Sequence, residues 1–234
     1  MFQIAERAVR IAALGDRDLG YLTHREIDAA MRLAPAGVEL RWVATDSEEA
    51  RRVDGFDGLW VLPGTPYRND ETVYAAIRLA REQGMPVLGT CGGFQYMAVE
   101  YARNAAGIPE AAHAETEPDG EKIVVEALAC SLVGEERLVS AVPGTRLAAL
   151  CGTAPFAGFH WCAYGLADGI AEQLCAAGLV MNASAADAGV EGFELPGHPF
   201  YVATLFQPQV GSSKSGQLHP LIGALCQHAG RTPG

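Results

Sequence analysis

The chain has 234 residues, 49% hydrophobic and 19% charged, a balance that fits one large α/β domain spanning residues 1–234 and argues against a second independent core. A net charge of -11 repels phosphate backbones, so nucleic acid is set aside as a partner. No run approaches the roughly 18 apolar residues of a membrane span, and residues 1–10 lack the apolar stretch of a signal peptide. The six cysteines show no CxxC spacing and no tight Cys/His cluster. The expectation is a reduced, cytoplasmic protein without a metal site or a cofactor.

Residues 9–14 (VRIAAL) read as a buried strand closed by Gly15-Asp16. Residues 23–34 follow as a helix, with Thr23 as cap, Glu26 completing a capping box, and Ile27, Ala30, Met31 and Ala34 on one face. Strands are expected over 38–44 and 57–62, the second closed by Pro63-Gly64. A helix over 71–83 ends at Gly84, a short buried strand covers 86–89, and a helix covers 93–106. This alternation predicts a mostly parallel central sheet with helices on both faces. Beyond it the pattern loosens. Strands are expected over 123–128, 136–140 and 146–151, a helix over 168–177, a hairpin of 190–195 with 200–206, and a last helix over 218–229; 109–121 and 183–189 read as loops.

The most informative segment is Gly89-Thr90-Cys91-Gly92-Gly93-Phe94-Gln95. It has the form glycine, any residue, nucleophile, any residue, glycine, set between a buried strand and a helix. Glycine keeps the strained turn free of side chains. The turn lifts the sulfur into the cleft at the strand C-termini, and the helix aims its positive end at the sulfur and favours thiolate. The Gly92 amide is one expected oxyanion donor. A second is expected from the loop after the preceding strand, at Gly64 and Thr65. A buried cysteine in a glycine-rich turn is the competing reading.

Residues 86–95 (PVLGTCGGFQ) resemble the nucleophile segment of class I glutamine amidotransferases, above all the glutaminase domain of CTP synthase. Residues 11–16 with His24-Arg25 are similar to that domain's first strand and helix. Residues 62–68 (LPGTPYR) resemble its oxyanion loop, residues 195–203 (LPGHPFYVA) its closing hairpin, and His219-Pro220-Leu221 its C-terminal signature. Residues 90–95, 100–104, 113–115 and 206–209 bring the chain closest to the free-standing CTP synthase C-terminal region-related proteins. The resemblance implies a flavodoxin-like class I glutamine amidotransferase fold.

It also implies a histidine and a glutamate where Gln207-Pro208-Gln209 stands. An amide has no usable pKa near neutrality, so Gln207 cannot be a general base. The Arg-Tyr-Glu run that holds substrate glutamine aligns with Trp161-Cys162-Ala163, an aromatic wall in place of a carboxylate clamp. The expected substrate wall comprises Gln95, His113, Glu115, His160, Trp161, Cys162 and His198. His113, His160 and His198 are candidates to replace the missing histidine, each weighed against a structural role. Cys162 offers a thiol pair with Cys91 if the two are close. Three functions stay open: a Cys91-dependent acyl or amide enzyme on a substrate other than glutamine, a non-catalytic ligand-binding or regulatory domain, and a glutaminase serving a separate synthetase. The expected partner is a small molecule; base rates of assembly point to a homodimer.

Overall fold

The computed structural model describes residues 7–186 and 188–231. Its first half alternates strand and helix as the hydrophobic pattern requires: β1 (Val9–Leu14), α1 (Leu22–Arg32), β2 (Val38–Val43), β3 (Gly58–Val61), α2 (Asp70–Glu82), β4 (Val87–Thr90) and α3 (Gly92–Asn104). The second half adds β5 (Ala111–His113), β6 (Lys122–Ala127), β7 (Glu135–Ala141), α4 (Arg146–Cys151), β8 (Phe156–His160), β9 (Tyr164–Leu166), α5 (Ile170–Ala176), β10 (Val180–Ala185), β11 (Gly189–Glu194), β12 (Tyr201–Thr204), α6 (Ser212–Ser215) and α7 (Pro220–Ala229).

Nine of these strands form one sheet in the order β2-β1-β3-β4-β12-β11-β10-β7-β8. The pairs from β2 to β12 are parallel, and those from β12 to β8 are antiparallel. β5, β6 and β9 form a small second sheet. Strand β1 shows why the parallel part is covered on both faces. Ala12 and Leu14 pack with α2 and α3, whereas Ile11 and Ala13 pack with α1 and α7, and all four are fully buried. Continuous apolar strands need a helical layer on each side. Arg81 of α2 clamps the two helices of one layer together, its guanidinium donating to both oxygens of the buried Glu100 of α3 at 3.0 and 2.8 Å.

Several expectations are corrected. Residues 146–151 form a helix, not a strand. Thr145 caps it by accepting from the Ala148 amide at 3.2 Å, and the Glu194 carboxylate accepts from the Arg146 amide at 2.9 and 3.1 Å. A six-residue apolar run is too short for its period to separate the two states. Residues 183–189 are not one loop, since β10 runs to Ala185 and pairs with β11 across a register shift. Within 109–121, residues 111–113 form β5. The capping box is absent: Tyr21 takes the N-cap position with no side-chain bond, so Thr23 lies inside the helix. Glu26 instead accepts from the amides of Gly211 and Ser213, both at 3.0 Å, and from the Ser213 hydroxyl. That carboxylate ties α1 to the segment just after Gln209.

Candidate active site

Cys91 joins β4 to α3 with φ 54° and ψ -107°, and no other described non-glycine residue has a positive φ. A left-handed-side φ at a residue with a Cβ is strained and persists only where the surroundings fix it. The Cys91 amide donates to the Thr204 carbonyl of β12 at 2.8 Å, and its own carbonyl accepts from Gln95 at 3.2 Å. The glycines after it are required by close approach. A Cβ on Gly92 would stand 2.4 Å from Thr65 Cγ2, and one on Gly93 2.2 Å from the Val61 carbonyl oxygen. The backbone of the 63–66 loop is therefore packed directly against the elbow. Its position is fixed from the other side by His24, whose Nε2 donates to the Pro63 carbonyl (3.1 Å) while Nδ1 accepts from the Asp18 amide (2.9 Å). Burial lowers the His24 pKa and keeps it neutral for this bridging role.

Cys91 opens into a cavity of about 470 Å³ at the C-terminal ends of the parallel strands. Such crevices are the ligand sites of open α/β sheets. One wall comes from the loop after β1 (Asp16 to His24), one from residues 63–68, and one from residues 161–164. Asp16 joins the first two: its carboxylate accepts from the Thr45 amide (3.0 Å), the Thr45 hydroxyl (2.7 Å) and the Arg68 amide (2.8 Å).

Of the sequence-selected residues, Gly64, Thr65, Cys91, Gln95, Glu115, Trp161, Cys162 and Gln207 line this cavity. The three histidines do not. His113 is fully buried behind Gln95: its Nδ1 accepts from the Glu115 amide at 3.1 Å, so Nε2 carries the proton and donates to Gln95 Oε1 at 3.0 Å. Gln95 in turn donates to the Tyr164 carbonyl at 2.9 Å. Burial drops the His113 pKa to about 4, so it stays neutral at pH 7 and orients Gln95. His160 is buried against Glu191, 2.9 Å from both carboxylate oxygens, one residue outside the cavity wall. His198 lies at the wrong end of the sheet. It precedes β12, whose Tyr201 pairs with Val87, whereas Cys91 follows the opposite end at Thr90. Its ring packs on Tyr201 and its Nδ1 accepts from the Phe200 amide at 3.2 Å.

Gln207 faces the cavity and accepts from Gln209 Nε2 at 2.7 Å, leaving Gln207 Nε2 and Gln209 Oε1 buried without a partner. Glu115 also keeps Oε2 buried and unpartnered. Trp161, the aromatic part of the wall, is 39% exposed, so its ring is open to a ligand. Its carbonyl oxygen lies 3.6 Å from the Cys91 sulfur. Among the described residues no group of three or more His, Cys, Asp or Glu side chains is arranged to hold a metal ion.

The model for "Glutamine amidotransferase class-I" matches residues 18–140, slightly more than half of the chain. The chain belongs to the class I glutamine amidotransferase family. Among similar curated relatives, the CTP synthase of Acidothermus cellulolyticus is 35% identical over 215 residues, covering 83% of this chain and 38% of that protein. The CTP synthase of Aeropyrum pernix is 36% identical over 241 residues, covering 94% and 44%. The chain therefore spans less than half the length of these relatives. A solved structure of the glutaminase domain of Trypanosoma brucei CTPS with bound acivicin superposes with a TM-score of 0.80 at 24% identity, over 94% of this chain and 93% of that one, which establishes the shared fold.

Sequence reasoning missed Asp16, His24, Arg68 and Tyr164 as cavity residues. Asp16 was within reach, because it directly follows the first parallel strand, where α/β ligand sites form. His24 and Tyr164 carried no local signal, since their place depends on contacts with Pro63 and Gln95. Among the described residues no helix is long and apolar enough to cross a membrane.

Proposed function

We propose that this family member is a cysteine-dependent acyl or amide hydrolase or transferase whose substrate is not free glutamine, with Cys91 as nucleophile. The observation that carries the reading is the strained elbow itself. Cys91 keeps a costly backbone conformation, and Gly92 and Gly93 fit only without a Cβ, around a sulfur that opens into a cavity. A binding domain has no need of that strain. The amides of Gly92 and Thr65 would hold the oxyanion, with Gly64 and His24 shaping the loop. Gln95 and Glu115 would meet polar groups of the substrate, and Trp161 a flat or apolar part of it.

Ordinary glutamine hydrolysis fits poorly. Gln207 and Gln209 have no group to move a proton, and Trp161 with Ala163 offers neither a guanidinium for a carboxylate nor a carboxylate for an ammonium. The curated relatives are CTP synthases, and a role as glutaminase beside a separate synthetase is the weakest reading for the same two reasons. The Gln207–Gln209 pair favours a second reading, a ligand-binding or regulatory domain that has lost turnover.

A panel of amides, esters and thioesters, with glutamine included, separates these readings. Product release from a non-glutamine substrate, abolished in Cys91→Ala, is the expected result. Steady glutamate release lost in Cys91→Ala would instead establish a glutaminase. Saturable binding of a compound without any Cys91-dependent turnover would support the binding domain.

A further inference from the structure

The second sulfur of the cavity is not used by the acyl chemistry above. Cys162 and Cys91 line the same cavity, are 6% and 5% exposed, and both are free thiols. The Cys91 sulfur lies 3.6 Å from the carbonyl oxygen of Trp161, whose carbon is bonded to the nitrogen of Cys162. That contact sets the Cys91 sulfur beside the peptide that carries Cys162, on the same side of the cavity. Gln207, at the family's histidine position, neither blocks nor deprotonates either thiol.

We propose that Cys91 and Cys162 are a redox-active dithiol that a small hydroperoxide converts to a disulfide across the cavity. In the first step the Cys91 sulfur attacks the terminal peroxide oxygen. An S–O bond forms, the O–O bond breaks, and the other oxygen leaves as an alcohol, or as water from hydrogen peroxide, with the Cys91 proton. In the second step the Cys162 sulfur attacks the Cys91 sulfenic acid. An S–S bond forms, the S–O bond breaks, and the hydroxyl leaves as water with the Cys162 proton. Two thiols are oxidised by two electrons and one peroxide is reduced.

The neighbourhood suits this order of events. Cys91 is the sulfur on the strained turn, and the cavity of about 470 Å³ that both thiols line admits a small peroxide but not a folded disulfide substrate. The neighbouring Cys91, then burial, then the Glu191 carboxylate push the Cys162 thiol up, so Cys162 stays protonated while Cys91 reacts first with the peroxide. None of the remaining four cysteines lines this cavity: Cys130 and Cys175 are exposed, Cys151 is half-buried, and Cys226 is buried within α7.

This inference rests on Cys91 being nucleophilic, as in the reading above, but not on acyl turnover. The test is to titrate the reduced full chain with hydrogen peroxide, alkylate the remaining thiols, and map the peptides by mass. The expected result is a crosslink joining the Cys91 and Cys162 peptides, with the loss of two hydrogens and both free-thiol signals, reversed by dithiothreitol. In Cys162→Ser the crosslink disappears and dimedone traps Cys91 as the sulfenic acid. Both thiols staying free in wild type, or Cys91 running on to sulfinic acid without joining Cys162, would overturn it. A crosslink without acyl turnover sinks only the hydrolase reading; acyl turnover without a crosslink sinks only this one.

Discussion

Residues 9–104 and residues 105–215 meet across Cys91, and they have kept different things. The first half holds Cys91 at the turn after β4, the glycines that fit against Val61 and Thr65, and the loop braced by Asp16 and His24. The second half supplies the surfaces that face the sulfur, with Gln207, Trp161 and Cys162 on the cavity wall, and the bonded amides Gln207 and Gln209 carry no group that titrates near neutrality. Position and proton transfer are thus separable parts of the site. A frame fixed by backbone packing can persist while the chemistry opposite it changes.

The first half ties α2 to α3 through Arg81 and the buried Glu100, which gives a first way to break the comparison. Arg81→Ala should leave the fully buried Glu100 without its cation, with only Asn104 Nδ2 still donating at 3.3 Å, and cost about 3–5 kcal/mol in a denaturant titration. Because the pair joins α2 to α3, the loss should also slow alkylation of Cys91. Unchanged stability would show that the frame does not depend on this clamp.

The pH dependence probes the second half. Burial lowers the His113 pKa from 6.5 to about 4, so folding favours the neutral ring. That stability is full above pH 6.5 and is lost as pH falls toward 4, because the unfolded chain takes up the proton first; the shift corresponds to about 3 kcal/mol. His219 is lowered to about 4 in the same way, so His113→Gln should flatten only part of the acid slope seen in unfolding midpoints between those values. An unaltered slope would contradict a neutral His113 holding Gln95.

Installing a proton-transfer pair opposite Cys91 sharpens the contrast. Gln207→His with Gln209→Glu should raise the rate at which an acylated Cys91 turns over by about a hundredfold, within the usual range for a general base. Glutamine should remain a poor substrate, because Trp161 and Ala163 are unchanged. The smallest effect is expected from Trp161→Ala, which removes one open aromatic face and should weaken binding of aromatic or apolar acyl groups by about tenfold while leaving kcat nearly constant.

What could be read in the sequence follows the same division. In the first half β3 and β4 are fully buried, β2 alternates as VELRWV, the helices keep the expected period, and the elbow motif carries its own geometry. In the second half β10 is VMNASA, small and polar residues that become a strand only through pairing with β7 and β11. The run at 146–151 becomes a helix because Thr145 and Glu194 satisfy its first amides, and Glu194 is 48 residues away. His198 adjoins the hairpin that leads to Gln207, yet it sits one strand length from Cys91, and spacing along the chain does not reveal which end of a strand a turn occupies. His113 and His160 needed partners, Gln95 and Glu191, that lie 18 and 31 residues off.

The most direct test of the proposal that Cys91 is a nucleophile with no base opposite it is to mix the protein with p-nitrophenyl acetate and follow intact mass with time. A working elbow without proton transfer predicts one acetyl group on Cys91, formed in a burst and released slowly, and absent in Cys91→Ala. No adduct on Cys91, or equal acetylation in Cys91→Ala, would contradict it.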